Sequence, residues 1–417
     1  MQTTGNKEII ENIFRHEYGK MIAVLVNKYG PSHLDKIEDA VQNALLKAMQ
    51  VWGYQDTPQK PTAWLIRVAN NSLIDMFRKE KYMQEDTGDT GNSENMAEPE
   101  EMVMENRIND DQLKMIFACC HPSISEEYQL ILSLKLIGGF SNKEIAKALL
   151  KKEDTVAKSF TRAKKMLKSK VKTLDTPIEI GLTSRLNVVL KVIYLLFSEG
   201  YAASTGEVML KKDICLEAIR LALLLSRNKY CNKAEVQALI ALMCFHTSRF
   251  EARLDKEMEA VDLEHQDRSK YDKDLIRFGI DHLETATEMG QTPSPYHLQA
   301  AVSYEHCIAP DFEKTNWENI LHLYNLQLQY QYSPVIELNR IVPLAKVKGP
   351  ETALKELQKY QKTDHFRETA LFYAIKADIF RMLEDKNKMK TALEKAVALT
   401  KNTVEKKYFL KKRKGIL

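Results

Sequence analysis

Residues 83–106, MQEDTGDTGNSENMAEPEEMVMEN, hold eight carboxylates, no Lys or Arg, and few large apolar side chains. A segment of this kind cannot bury enough surface to offset the entropy of ordering it, so it predicts a flexible linker. A compact helical segment is expected upstream of it and a second helical unit downstream. Charge divides along the same line: the net charge is +2 over residues 1–82, −8 over 83–106, +7 over 107–174 and +3 over 175–417. The near-neutral total of +4 hides a basic module directly behind an acidic tether.

The flanks read as helix. Gly (15) and Pro (12) are few among 417 residues, β-branched runs bounded by turns are scarce, and Leu, Lys, Glu, Ala and Met, all good helix formers, are abundant. The expected fold is all-α: a helical unit over residues 8–82, the linker 83–107, a second helical unit over 108–174, and a larger C-terminal helical domain over 175–417. In that last region apolar residues recur at helical spacing, as at Ala353, Leu354, Leu357 and Tyr360. Residues 366–399 read as two short helices joined at Glu384–Asn387, close to the 34-residue period of a tetratricopeptide unit. A TPR-like domain is expected there, with an irregular helical domain as the alternative.

The start, MQTTGNKEII, has no basic end followed by an apolar stretch. The longest apolar runs, Val192–Phe197 and Ala238–Phe245, fall short of the ~18 to 20 residues of a membrane span. A cytoplasmic protein is expected. The six cysteines, Cys119, Cys120, Cys215, Cys231, Cys244 and Cys307, show no C-x-x-C spacing and read as free core thiols.

The sharpest local pattern lies in the basic module. Ser141 and Glu144 have the spacing of a capping box at a helix start. After a break at Leu150, Asp154 or Thr155 can cap a second helix whose apolar residues, Val156, Phe160, Ala163 and Leu167, are spaced by four, three and four. Lys158, Arg162 and Lys165 form the opposite, cationic stripe. Small Ala146 and apolar Val156 suit the close crossing of a DNA-reading helix-turn-helix. Eleven basic and three acidic residues between Lys143 and Lys172 would bind phosphates. A solvated basic face on an ordinary hairpin is the plainer reading.

In the first unit, a helix through Asp39, Val41, Ala44, Leu45 and Ala48 is followed by breaks at Pro58 and Pro61 and a second helix from Thr62. On it Arg67, Asn71 and Arg78 share a face, with Asn70 and Lys79 beside them and Trp64 and Phe77 adding aromatic surface. Amides and guanidiniums interleaved with aromatics suit unpaired bases; core packing of Trp64 is the alternative.

The segments E-D-A-V-Q-N-A, P-x-A-W-L-I-R-V-A-N-N running into I-D-M-F-R-K, S-N-K-E-I-A-K-A-L and T-V-A-K-S-F-T-R-A-K, in this order, resemble regions two and four of an extracytoplasmic-function (ECF) sigma factor of bacterial RNA polymerase, with the linker in place of region three. Phe117–Pro122, Phe197–Ser204, Asp267–Ser269 and Ser333–Arg340 resemble the subgroup with a long TPR-like extension. The resemblance implies that Glu38, Asp39, Gln42, Asn43 and Met49 meet the clamp helices of the polymerase β′ subunit, with region four on the β flap. It implies that Arg67, Asn70, Asn71, Asp75, Arg78 and Lys79, with Trp64, recognise and open the minus-ten promoter element. Thr155, Lys158, Ser159, Arg162 and Lys165 would enter the major groove at the minus-thirty-five element, with Arg162 reading bases and the lysines meeting phosphates.

Other constellations point to no chemistry. Cys119, Cys120 and His121 offer thiolate and imidazole groups but no second pair at finger spacing, so no metal and no cofactor are expected. Glu199, Tyr201, Asp267 and Arg268 are ordered around no nucleophile, phosphate loop or metal, so no enzyme is expected, and Asp267–Arg268 reads as an ion pair or cap. The functional expectation is a promoter-specificity subunit, its C-terminal domain packing on the sigma units to control them. The alternative is a helix-turn-helix regulator whose helical repeats sense a ligand or protein.

Overall fold

The computed structural model describes residues 17–52, 57–85, 105–149, 151–174, 182–201, 212–253, 255, 261–290, 292–360, 369–400 and 403–415. Every regular element among them is helical, as the composition predicts. The chain forms two compact units, one of residues up to Glu199 with Leu223–Cys231, the other of Gly200–Ala222 with Asn232–Leu417. Compactness therefore divides the chain later than the expected boundary at Leu174. Most of the expected linker, 86–104, lies outside the described residues, as does the turn position Leu150; residues 83–85 and 105–107 are helical.

The first unit holds α1 (17–29), α2 (Leu34–Trp52), α3 (Pro61–Glu85), α4 (Glu105–Cys119), α5 (Glu126–Leu136), α6 (Asn142–Ala148), α7 (Glu153–Lys170) and most of α8 (Leu182–Tyr201). Leu34, Ile37, Val41, Ala44 and Ala48 of α2 are fully buried, as are Leu65, Ala69 and Leu73 of α3. Pro61 at the first position of α3 loses no hydrogen bond there, because that amide has no partner within the helix. Ser141 and Glu144 make the expected capping box: the Ser141 amide donates to the Glu144 carboxylate (2.8 Å) and the Glu144 amide to Ser141 Oγ (3.2 Å). Helix α7 starts earlier than expected, after Lys152, which has no side-chain cap, so neither Asp154 nor Thr155 serves as the cap. The buried face of α7 is Val156, Phe160, Ala163 and Leu167, as the spacing requires; burying each large member is worth about 1.5–3 kcal/mol.

The units on either side of the acidic stretch pack together. Asn27 of α1 donates from Nδ2 to Asp111 of α4 (2.7 Å). A Cβ on Gly19 would overlap the Ile137 carbonyl oxygen at the end of α5, so this approach needs glycine.

The second unit continues with α9 (Lys212–Arg227, whose last turn belongs to the first unit), α10 (Ala234–Ser248), α11 (Lys273–Glu288), α12 (Pro295–Ile308), α13 (Trp317–Tyr330), α14 (Pro334–Lys348), α15 (Pro350–Tyr360), α16 (Ala370–Met382), α17 (Lys386–Leu399) and α18 (Thr403–Arg413). Helix α10 is buried along nearly its whole length and packs against α11 and α12. Helices α14 and α15 meet at Gly349 (φ 88°), a conformation open to glycine, and α16 and α17 form the hairpin expected around Glu384–Asn387. Asp385 caps α17 by accepting from the Lys388 amide (3.0 Å). Asp267 caps a short 3-10 turn by accepting from the Ser269 amide (3.0 Å); the expected ion pair with Arg268 does not form, because that guanidinium bonds backbone carbonyls instead. All six cysteines are buried and none forms a disulfide.

Candidate nucleic-acid and polymerase interface

Helix α3 carries an exposed polar stripe, Arg67, Asn71, Asp75, Arg78 and Lys79, ending at Tyr82, which is 74% exposed. The spacing of three or four keeps these groups on one face while Leu65, Ile66, Ala69 and Leu73 hold the other face in the core. Arg78 and Asp75 lie 3.9 Å apart, a surface pair open to exchange. Trp64 is half-buried with its ring 5.4 Å from that of Trp52, so it supports the start of the stripe. On α7, Thr155, Lys158, Arg162 and Lys165 are all exposed on the face away from the core.

Three of the predicted site residues lie inward instead. Asn70 is 3% exposed and its Oδ1 accepts from Lys28 Nζ (3.1 Å) and Tyr29 Oη (2.7 Å). Ser159 is buried beside Phe160, and Glu38 is 6% exposed. The cause is the same in each case. Asn70 follows Ile66 by four and precedes Leu73 by three, Ser159 follows Val156 by three, and Glu38 precedes Val41 by three, so each falls on its helix's apolar stripe. Periodicity carries that signal, and assignment by resemblance passes over it.

On α2, Asp39, Gln42, Asn43 and Met49 are exposed, and Leu46, 57% exposed, lies among them. Leu46 was not among the expected contacts; an apolar residue at an otherwise solvent-facing position was its signal.

The inward Glu38 meets α7. Lys164 Nζ donates to Glu38 (2.6 Å) and lies 2.9 Å from Asp35, and Lys168 also pairs with Asp35. Tyr18 Oη completes the cluster by donating to Glu38 (3.2 Å). Burial works against the Lys164 charge, but its bonds to Glu38 and Asp35 outweigh that and hold its pKa above the usual lysine value. The Lys168 hydrogen bond, followed by the Lys164 bond, holds Asp35 below the usual carboxylate range against some desolvation. Carboxylates three apart on α2 and lysines four apart on α7 match as neighbouring turns of two helices.

At the neighbouring contact, burial raises Asp111 to about 6, opposed by Lys114 and Arg107 and reinforced by Asp110. The vicinal thiols of Cys119 and Cys120 are fully enclosed, and burial pushes Cys120 up to about 12 and Cys119 well above its ordinary value. Neither is a ready thiolate for metal or redox chemistry. The Glu199 side chain lies outside the described residues. Asp262, Glu264 and His265 stand close enough to share a cation, but Glu264 is paired with Arg381 (2.7 Å) and Asp262 with His265 (2.5 Å) and Tyr408 (2.6 Å).

Sigma-70 region 2 matches residues 14–82, sigma-70 region 4 matches residues 114–167, and a family of unknown function (DUF6596) matches residues 185–287. The uncharacterized protein R00370 of Rhizobium meliloti (strain 1021) is 32% identical over 392 residues, which is 90% of this chain and 89% of that protein. The ECF RNA polymerase sigma-E factors of Escherichia coli (strain K12) and Shigella flexneri are each 26% identical over 168 residues, 39% of this chain and 87% of theirs. No solved structure matches the chain significantly. No described helix is long and apolar enough to cross a membrane. The two exposed stripes thus lie within the stretches that match sigma-70 regions 2 and 4, and the chain as a whole belongs to one family with the Rhizobium protein.

Proposed function

We propose that this protein is a cytoplasmic ECF-type sigma factor that binds core RNA polymerase, recognises two promoter elements and traps unpaired bases, with binding energy rather than chemistry as its mechanism. The observation that carries this reading is the pair of exposed polar stripes, Arg67–Lys79 on α3 and Thr155–Lys165 on α7, one in each matched sigma region. In this reading Arg67, Asn71, Asp75, Arg78 and Lys79, with Trp64 behind them, meet the minus-ten element, while Asn70 positions α3 from within. Arg162 reads a base in the major groove, Lys158 and Lys165 meet phosphates, and Ser159 packs the helix. Asp39, Gln42, Asn43, Leu46 and Met49 offer a mixed polar and apolar face to the β′ clamp helices, and region 4 meets the β flap.

Glu38 can join that polymerase face only after giving up Lys164. The contact between α2 and α7 thus competes with docking, and the TPR-like C-terminal domain is read as the part that sets the balance.

The test is transcription in vitro with bacterial core polymerase and the full-length protein on genomic fragments. Promoter-specific transcripts and a stable complex with core enzyme are the expected result. Duplex binding without polymerase, no preference for melted template and no transcripts would instead establish a conventional regulator.

A further inference from the structure

The second unit contains three neighbouring guanidiniums, Arg249 buried and Arg253 and Arg268 partly buried, that have no carboxylate partner among the described residues. Arg249, 7% exposed, donates from Nη2 to Tyr201 Oη (3.3 Å) and faces Nδ1 of His246 (2.8 Å). Arg253 donates from Nη1 to the Tyr201 carbonyl oxygen (2.8 Å), with its guanidinium carbon 3.8 Å from the centre of the Tyr201 ring. Arg268 donates from Nη1 to the carbonyl oxygens of His306 and Ala309. Among the described residues none of the three makes an ion pair; Asp311 lies in the field of Arg268 but pairs with Lys314.

Polar groups are left over. The donors Arg249 Nε, Arg268 Nη2 and Trp317 Nε1, and the ring nitrogen His306 Nδ1, are buried with no hydrogen-bond partner among the described residues. These groups share one field: burial, followed by Arg249 and Arg268, pushes the His306 imidazole down to about 3, and burial, Arg249 and Arg253 act likewise on His246. Both imidazoles are therefore neutral and add no charge. Burial opposes the Arg249 charge too, and the groups favouring it are phenols and a thiol, Tyr201, Cys307 and Tyr271, classes that are uncharged near pH 7.

A guanidinium cannot escape its cost by losing a proton at neutral pH, so a buried guanidinium with two partly buried ones beside it calls for a counter-charge. The missing partner must accept hydrogen bonds, carry negative charge and meet planar forked donors, which describes an oxyanion. We propose that Arg249, Arg253 and Arg268, with His306 and Trp317, form a binding site for a small oxyanion, a phosphate or carboxylate group. The site involves none of the residues assigned to DNA or polymerase, so its test stands apart from the sigma reading.

The experiment titrates the full-length protein with sodium phosphate or sodium acetate against sodium chloride of equal ionic strength, reading the Tm. A saturable rise on the order of 2–4 °C with at least one oxyanion is expected, and the stronger of the two tells a tetrahedral from a planar group. Arg249→Met should abolish the rise; if that variant fails to fold, Arg268→Met carries the test by at least halving it. The double variant Lys158→Ala and Arg162→Ala, which removes exposed cations of α7, should retain it. No rise above chloride, a rise unchanged in the arginine variants, or one lost in the α7 double variant would overturn the proposal.

Discussion

Helix α7 and the segment around α10 both draw cations out of water, and they do so in opposite ways. Lys164 and Lys168 fold back onto Asp35 and Glu38, so each charge leaves solvent with its counter-charge supplied by the chain. Arg249, Arg253 and Arg268 leave solvent with only carbonyl, phenol and imidazole partners. A paired cation within one chain holds two helices together; for the unpaired set, the proposed oxyanion would supply the counter-charge from outside. The same formal charge is thus a clasp between helices in one unit and the basis of a proposed binding site in the other.

Replacing one cation in each place should separate the two cases by sign. Lys164→Met strands Glu38 beside a neutral neighbour and should destabilise the first unit by about 2–4 kcal/mol, somewhat below the fully buried limit because water reaches Lys164. Urea unfolding of the variant and of Lys164→Met with Glu38→Gln measures it, and the double variant should recover much of the loss. Arg249→Met removes an uncompensated charge, so without oxyanion it should leave stability unchanged or raise it by up to about 2 kcal/mol. A loss as large as that of Lys164→Met would erase the contrast.

A second probe acts on the joint that the α2 and α7 pairs close. Asp111 has a raised folded pKa, so its contribution to stability is fully present below about pH 4 and is lost as pH rises through about 6. Asp111→Asn should therefore relieve the wild type of about 2 kcal/mol at pH 7.5 and little at pH 4.5. Unfolding midpoints at the two pH values check this, and equal effects at both would remove the titration at the joint. The smallest effects concern the outward face of α7. Arg162→Ala should cost about 1–3 kcal/mol on some minus-thirty-five sequences and little on others, whereas Lys165→Ala should weaken all alike and lower the salt slope by about one. Binding to a panel of duplexes at several salt concentrations distinguishes them.

Much of this was legible in residue order. The capping box at Ser141 and Glu144, the buried stripe of α7, the hairpin at Glu384–Asn387 and the exposed Lys158, Arg162 and Lys165 all follow from local spacing, because each depends on residues three or four apart. Asn70, Ser159 and Glu38 are assigned to binding surfaces by the resemblance, although their spacing puts them on apolar stripes. His246, Arg249 and Arg253 also stand three and four apart, yet nothing local shows that Arg268 and His306 join them or that no described carboxylate pairs with these arginines.

By itself the sequence determined an all-helical chain, an acidic break, a basic helix-turn-helix and the sigma resemblance, because helix period, capping and local charge are short-range properties. Only the tertiary structure decided that the units flanking the break pack together through Lys164, Glu38 and Asp35, and that three arginines of the second unit lie near one another with no acid paired to them among the described residues. Whether a charge meets its opposite depends on residues more than a hundred positions apart, as Glu38 and Lys164 are, and no periodicity reaches that far.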